Sequence, residues 1–117
     1  VRNISFALTT AQFIDRSKTV TRRVGWKKLK PGEVLQGVRK AQGLKKGEKV
    51  EPLGLIRVED IRFEPVSLLI EYLDYGKREV ILEGFPGMSP EEFVAFFLRS
   101  HKVNLYDDIT RIEYVYL

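Results

Sequence analysis

Two short stretches hold the residue types that could do chemistry. The first is KTVTRR, residues 18–23, inside the basic run RSKTVTRRVGWKKLKPG. A hydroxyl is a weak nucleophile until a base assists it, and a lysine amine can do so once burial or nearby cations lower its pKa. Lys18 and Thr21 stand three positions apart, so they share a face if helical geometry continues. Arg22 and Arg23 then offer forked donors to a phosphate or carbonyl oxygen. The competing reading is an ordinary helix end with solvated cations. The second stretch is EGFPGMS, residues 83–89. Glu83 lies near Phe85, where a carboxyl with a raised pKa could act as general acid or base. The alternative is an exposed loop glutamate.

Other chemistries lack their residues. There is no cysteine, so there is no thiolate metal site, disulfide or cysteine nucleophile. The single histidine, His101, rules out a multi-histidine metal cluster and reads as a helix C-terminal cap or a surface residue. Phosphate-loop, H-E-x-x-H and G-x-S-x-G motifs are missing. No metal or cofactor is expected. Downstream, Trp26 could stack on a base while Arg22, Arg23, Lys27 and Lys28 hold phosphates. Trp26 could equally be a core or barrel-lid residue.

Charge divides the chain. Residues 16–49 carry twelve Lys/Arg against two acids, whereas residues 50–117 carry seven against thirteen. Such a basic block would attract phosphates, or it folds back against the acidic half. At 117 residues the chain reads as one domain, 1–117. No apolar run is long enough to span a membrane, and the N-terminus lacks a signal layout. A cytoplasmic location without membrane partners is the expectation.

The elements that must position these residues follow from periodicity. ISFAL alternates as a strand. Thr9 and Gln12 suggest a capping box opening a helix from Thr10 to Lys18. Pro31-Gly32 turns into a strand around Glu33–Arg39, followed by a Gly- and Lys-rich loop over KAQGLKKGEK. GLIRVEDIRFEPV is a strand whose alternation slips by one residue at Glu59-Asp60, which marks a bulge, and Pro65 ends it. Helical pieces are expected near Val66–Tyr72 and Gly76–Leu82. The strongest helix is SPEEFVAFFLRSHK, with Ser89 as N-cap, Pro90 at its first position and Glu92 closing the box. Phe93, Phe96 and Phe97 form an apolar stripe, read as core packing rather than a ligand site. TRIEYVYL closes the chain as a strand. The order points to a small α+β domain with a curling sheet.

Taken together, KTVTRR after a strand and helix, LKPGEVLQGVR, GLIRVEDIRF, EGFPGMSPEEFVAFFLR and a final TRIEYVYL resemble the ASCH family of the PUA-like superfamily. The resemblance covers essentially the whole chain in order. It implies a PUA-like small β-barrel with flanking helices and a cleft that recognises RNA or a modified nucleotide. Some bacterial members are amidohydrolases that deacetylate acetylated cytidine. Their proposed catalytic set, carried over, is Lys18, Thr21 and Glu83, with Thr21 as nucleophile, Lys18 as its activator and Glu83 as acid/base. Other members are reported as ribonucleases. Here Glu83 is followed by Gly-Phe-Pro-Gly-Met, unlike the amidohydrolase branch. The leading expectation is RNA or nucleotide recognition, with nucleoside-amide hydrolysis second. A third reading gives the cleft to a partner protein.

Overall fold

The computed structural model describes residues 1–41 and 43–117. The elements run β1 (Arg2–Ser5), α1 (Thr10–Ile14), β2 (Val20–Arg23), β3 (Val34–Val38), β4 (Pro52–Pro65), α2 (Leu68–Glu71), α3 (Leu73–Leu82), α4 (Pro90–His101) and β5 (Asp108–Tyr116). The five strands form one sheet in the order β1-β3-β4-β5-β2. β1 pairs with β3 in parallel, and the other pairs are antiparallel. The result is an α+β fold whose sheet curls into a half-barrel. At its open seam the Arg23 side chain of β2 donates to the Ser5 carbonyl of β1 at 2.6 Å.

Two apolar clusters fill the structure. Inside the curl, Ile4, Phe6, Phe13, Leu35, Ile56, Ile112 and Tyr114 pack together. Helix α1 closes over them because Gly37 of β3 leaves room for the Phe13 ring. A Cβ there would stand 2.4 Å from that ring. The second cluster joins the helices, with Val66, Leu69, Val80, Phe93 and Phe97 against Ile109 of β5. KTVTRR runs between the two.

The local signals of α4 are realised in full. The Ser89 side chain accepts from the Glu92 backbone N–H, Glu92 returns the bond, and Pro90 opens the helix. The slip in β4 is also present, as a register shift between Val58 and Asp60. Elsewhere local and long-range forces disagree. Helix α1 ends at Ile14 rather than Lys18. Arg16 takes a positive φ of 65°, and Val20–Arg23 leaves as a strand to pair with β5. Thr9 makes no side-chain cap bond. Gln12 instead donates to the Gly84 carbonyl at 3.2 Å. After the bulge, Phe63 is exposed and Glu64 buried, because Glu64 turns to meet Arg22. In the loop between β3 and β4, position 42 lies outside the described residues.

Candidate functional site

Lys18 sits on the short segment joining α1 to β2. Its backbone carbonyl accepts from both the Tyr114 and Tyr116 hydroxyls, at 3.0 and 2.5 Å. That pair fixes the residue and sends its side chain inward, where it is 2% exposed. The Lys18 Nζ donates to Glu83 Oε1 and to the Glu83 carbonyl, both at 2.8 Å. Glu83 caps the C-terminus of α3, and Gly84 follows with a φ of 96°. Only glycine adopts that geometry readily, and a Cβ there would press on Gln12 at 2.9 Å. The Glu-Gly pair is therefore a turn device that aims the carboxylate back at Lys18.

Arg22 completes the arrangement. Its Nη1 donates to Glu83 Oε2 at 2.9 Å, and its Nη2 donates to Glu79 at 2.6 Å and Glu64 at 3.1 Å. Arg111 of β5 approaches Glu79 from the other side, with Nη2 3.0 Å from Oε2. Tyr75 donates to Glu64 at 2.6 Å. The basic run thus folds its innermost cations back onto the acidic half. Lys27 and Lys28 remain exposed on the surface.

Burial and pairing set the charges. Burial pulls the Lys18 ammonium below the ordinary lysine value, and Arg23 and Arg22 add to that, although Glu83 opposes it. Burial also works against Arg22, but Glu83 and Glu79 outweigh it and hold the guanidinium charged. For Glu79, burial favours the neutral acid, and Arg111 with Arg22 reverses this and pulls the pKa down. Burial brings the Arg23 guanidinium down to about 10, with Glu83 as the main counterweight.

A cavity of about 220 Å³ opens beside this cluster. One end is polar, with Lys18, Arg22, Arg23 and Glu83. The other is a wall of Phe85, Phe93, Phe96 and Phe97. Those rings pack at centroid distances of 5.4–6.4 Å. The phenylalanine stripe of α4 therefore does two jobs, as core and as cavity wall. His101 stacks on Phe97 at 4.1 Å and also lines the cavity. Its Nδ1 is 3.1 Å from the Phe97 carbonyl, which can only accept, so that nitrogen carries the proton and Nε2 is left over.

A second, larger recess of about 570 Å³ adjoins the first and shares Ser5, Ala7 and Arg23 with it. It adds Arg2, Trp26 and Lys40. The Arg2 guanidinium lies 4.1 Å over the Trp26 ring, which is half-buried against the barrel cluster. Trp26 is thus both a lid on the curl and part of a recess wall. Lys40 pairs at 3.3 Å with Glu48 in an exposed contact that contributes little.

Of the residues singled out by sequence, Lys18, Arg22, Arg23 and Glu83 converge on one cavity, and Trp26 borders its neighbour. Thr21 is buried on β2 and accepts from Arg23 Nε at 2.9 Å, but it does not line either recess. The extended backbone there replaces the helical turn that would have stacked Thr21 on Lys18. Lys27 and Lys28 border neither recess. Sequence reasoning missed Glu64, Glu79 and Arg111, whose contacts in this cluster run to Arg22 and to each other across 32 to 57 positions of chain. It also missed Arg2, Lys40 and the cavity-lining place of His101. A faint signal existed for Glu79, a carboxylate embedded in the helical run REVIL.

Among the described residues, no group of three or more His, Cys, Asp or Glu side chains is placed to hold a metal ion. None of the described helices is long and apolar enough to cross a membrane. No protein-family model and no curated protein matches the chain. Among solved structures, the chain is similar to protein EF3133 from Enterococcus faecalis V583, described under family model DUF984. The TM-score is 0.58 at 17% identity, covering 94% of this chain and 67% of that one. At that identity the likeness concerns the fold, a small α+β domain with a curled sheet.

Proposed function

We propose that the paired recesses bind a nucleotide, free or at the end of a single-stranded RNA. The base enters the inner cavity against the phenylalanine wall, and the phosphate lies in the outer recess near Arg2 and Lys40. The observation that carries this is the division of labour across two adjoining recesses that share Arg23: an aromatic slot in one and a cationic lining with Trp26 in the other. Aromatic stacking and backbone charge are the usual means of holding unpaired nucleotides. The inner volume, below the roughly 300 Å³ of a drug-sized pocket, suits a single ring system. The ASCH-like motifs lend support, because Lys18, Arg22 and Arg23 of KTVTRR, together with Glu83, stand at its polar end. On this reading the curled sheet is a PUA-like barrel.

Amide hydrolysis is the second reading. It is favoured by the Lys18 amine, whose pKa is lowered and which is held against Glu83. Against it, Thr21 stands off the cavity and both Glu83 oxygens are already ion-paired. Recognition is the stronger reading. Calorimetric titration of uridine 5′-monophosphate, uridine and ribose 5-phosphate tests it. The nucleotide should bind tightest, and loss of the phosphate should weaken binding and flatten its salt dependence. Absence of saturable binding by the nucleotide would sink the reading.

A further inference from the structure

The polar end of the inner cavity is unusually rich in donors. Three cations border it against one carboxylate, Glu83. Each oxygen of that carboxylate already accepts a charge-assisted hydrogen bond from Lys18 or Arg22, and its backbone carbonyl accepts another from Lys18. Donors, by contrast, are left over. An ammonium has three N–H groups, and Lys18 uses two of them, on Glu83. A guanidinium has five, and Arg23 uses two, on Thr21 and Ser5, among the described residues. Arg22, whose side chain is fully buried, keeps an Nε–H with no acceptor among the described residues.

We infer that this end reads a carbonyl on the edge of the bound ring, so that the cleft prefers a 4-oxopyrimidine nucleotide to its 4-amino counterpart. The inference rests on the nucleotide reading above and deepens it. A carbonyl oxygen supplies two lone pairs to donors that otherwise lack partners. An exocyclic amino group brings two more donors to a place where three cations already outnumber one carboxylate, which is held by Lys18 and Arg22. Discrimination of this kind comes from stranded buried polar groups and exceeds what a missing methyl can provide. Arg23 has the largest unused set and sits between the two recesses, so it is the residue most responsible for the choice.

The test compares uridine and cytidine 5′-monophosphates by calorimetry on the intact protein. The two share sugar and phosphate, so their difference reports on the base edge. The uridine nucleotide should bind about tenfold tighter or more, and Arg23→Gln should shrink that ratio toward unity. Should Arg23→Gln fail to fold, the ratio in the unaltered protein still decides. Equal affinities, or tighter cytidine binding, overturn this inference while leaving nucleotide recognition standing. If ribose 5-phosphate binds as tightly as the uridine nucleotide, no base edge is being read and the inference is overturned. Binding by none of these compounds overturns both readings.

Discussion

Lys18 Nζ meets Glu83 twice, through the carboxylate and the backbone carbonyl, each at 2.8 Å across a separation of 65 positions. Both side chains are almost wholly buried. The contact ties the entry of β2 to the exit of α3 and sets the polar end of the cavity. Removing either partner strands a buried charge, which costs about 3–5 kcal/mol. Glu83→Ala should cost more than Lys18→Ala, because it releases both Lys18 and Arg22. Urea denaturation of the two variants measures the order.

The Glu79 carboxylate, pulled below its ordinary value against the effect of burial, gives a pH dependence of defined sign. A depressed acid contributes stability above its unfolded pKa, ordinarily 4.5, and loses it as pH falls through the folded value. The protein should therefore weaken progressively below pH 4.5. Tyr114 acts at the other extreme. Burial, then Tyr116, raises it above its ordinary 10.0, so stability should fall as pH rises past 10.0 and unfolded tyrosine ionises first. Thermal melts across pH, repeated with Glu79→Gln and Tyr114→Phe, should show the acid and alkaline limbs flattened respectively.

Gly84→Ala should destabilise by about 1–2 kcal/mol through its left-handed backbone alone, with the contact on Gln12 adding to that. The change should also lower nucleotide affinity, since it shifts Glu83. Gly87, where a Cβ meets nothing within 4 Å, is the control for both effects. Circular-dichroism melts and the same titrations provide the comparison.

Cations inside and outside the cleft should behave differently. Arg2→Ala and Lys40→Ala should each weaken uridine 5′-monophosphate by roughly fivefold, about 1 kcal/mol, the scale of one solvent-screened hydrogen bond in a partly exposed site. Lys27→Ala and Lys28→Ala should leave it unchanged, because those side chains border neither recess. Equal losses at all four positions would indicate diffuse attraction to a basic surface.

What the sequence made legible was mostly local. Ser89, Pro90 and Glu92 announce α4 because a capping box is completed within four residues. The bulge at Val58–Asp60 shows as a slipped alternation. The length of α1 was not legible, since Val20–Arg23 is recruited by strand partners at residues 110–113. Phe63 and Glu64 exchanged the faces that hydropathy assigns them, because Arg22 is 42 positions from the glutamate that meets it. A cleft shared by Lys18 and Glu83 was an expectation only through the resemblance to ASCH motifs, which paired them with Thr21 rather than with Arg22. Nothing local links a strand cation to Glu79 or Arg111. His101 gave no sign of the cavity because helical spacing alone cannot say which face of α4 is left uncovered.

The central claim, that one cleft holds a base on its aromatic side and a phosphate on its cationic side, is tested most directly by mapping. Uridine 5′-monophosphate would be titrated into the isotopically labelled protein, with backbone amide and tryptophan indole shifts followed by NMR. Saturable shifts should cluster at Ser5, Arg23, Trp26, Phe96 and His101 and spare Lys27 and Lys28. Shifts confined to the exposed lysines, or no saturable shifts at all, would contradict it.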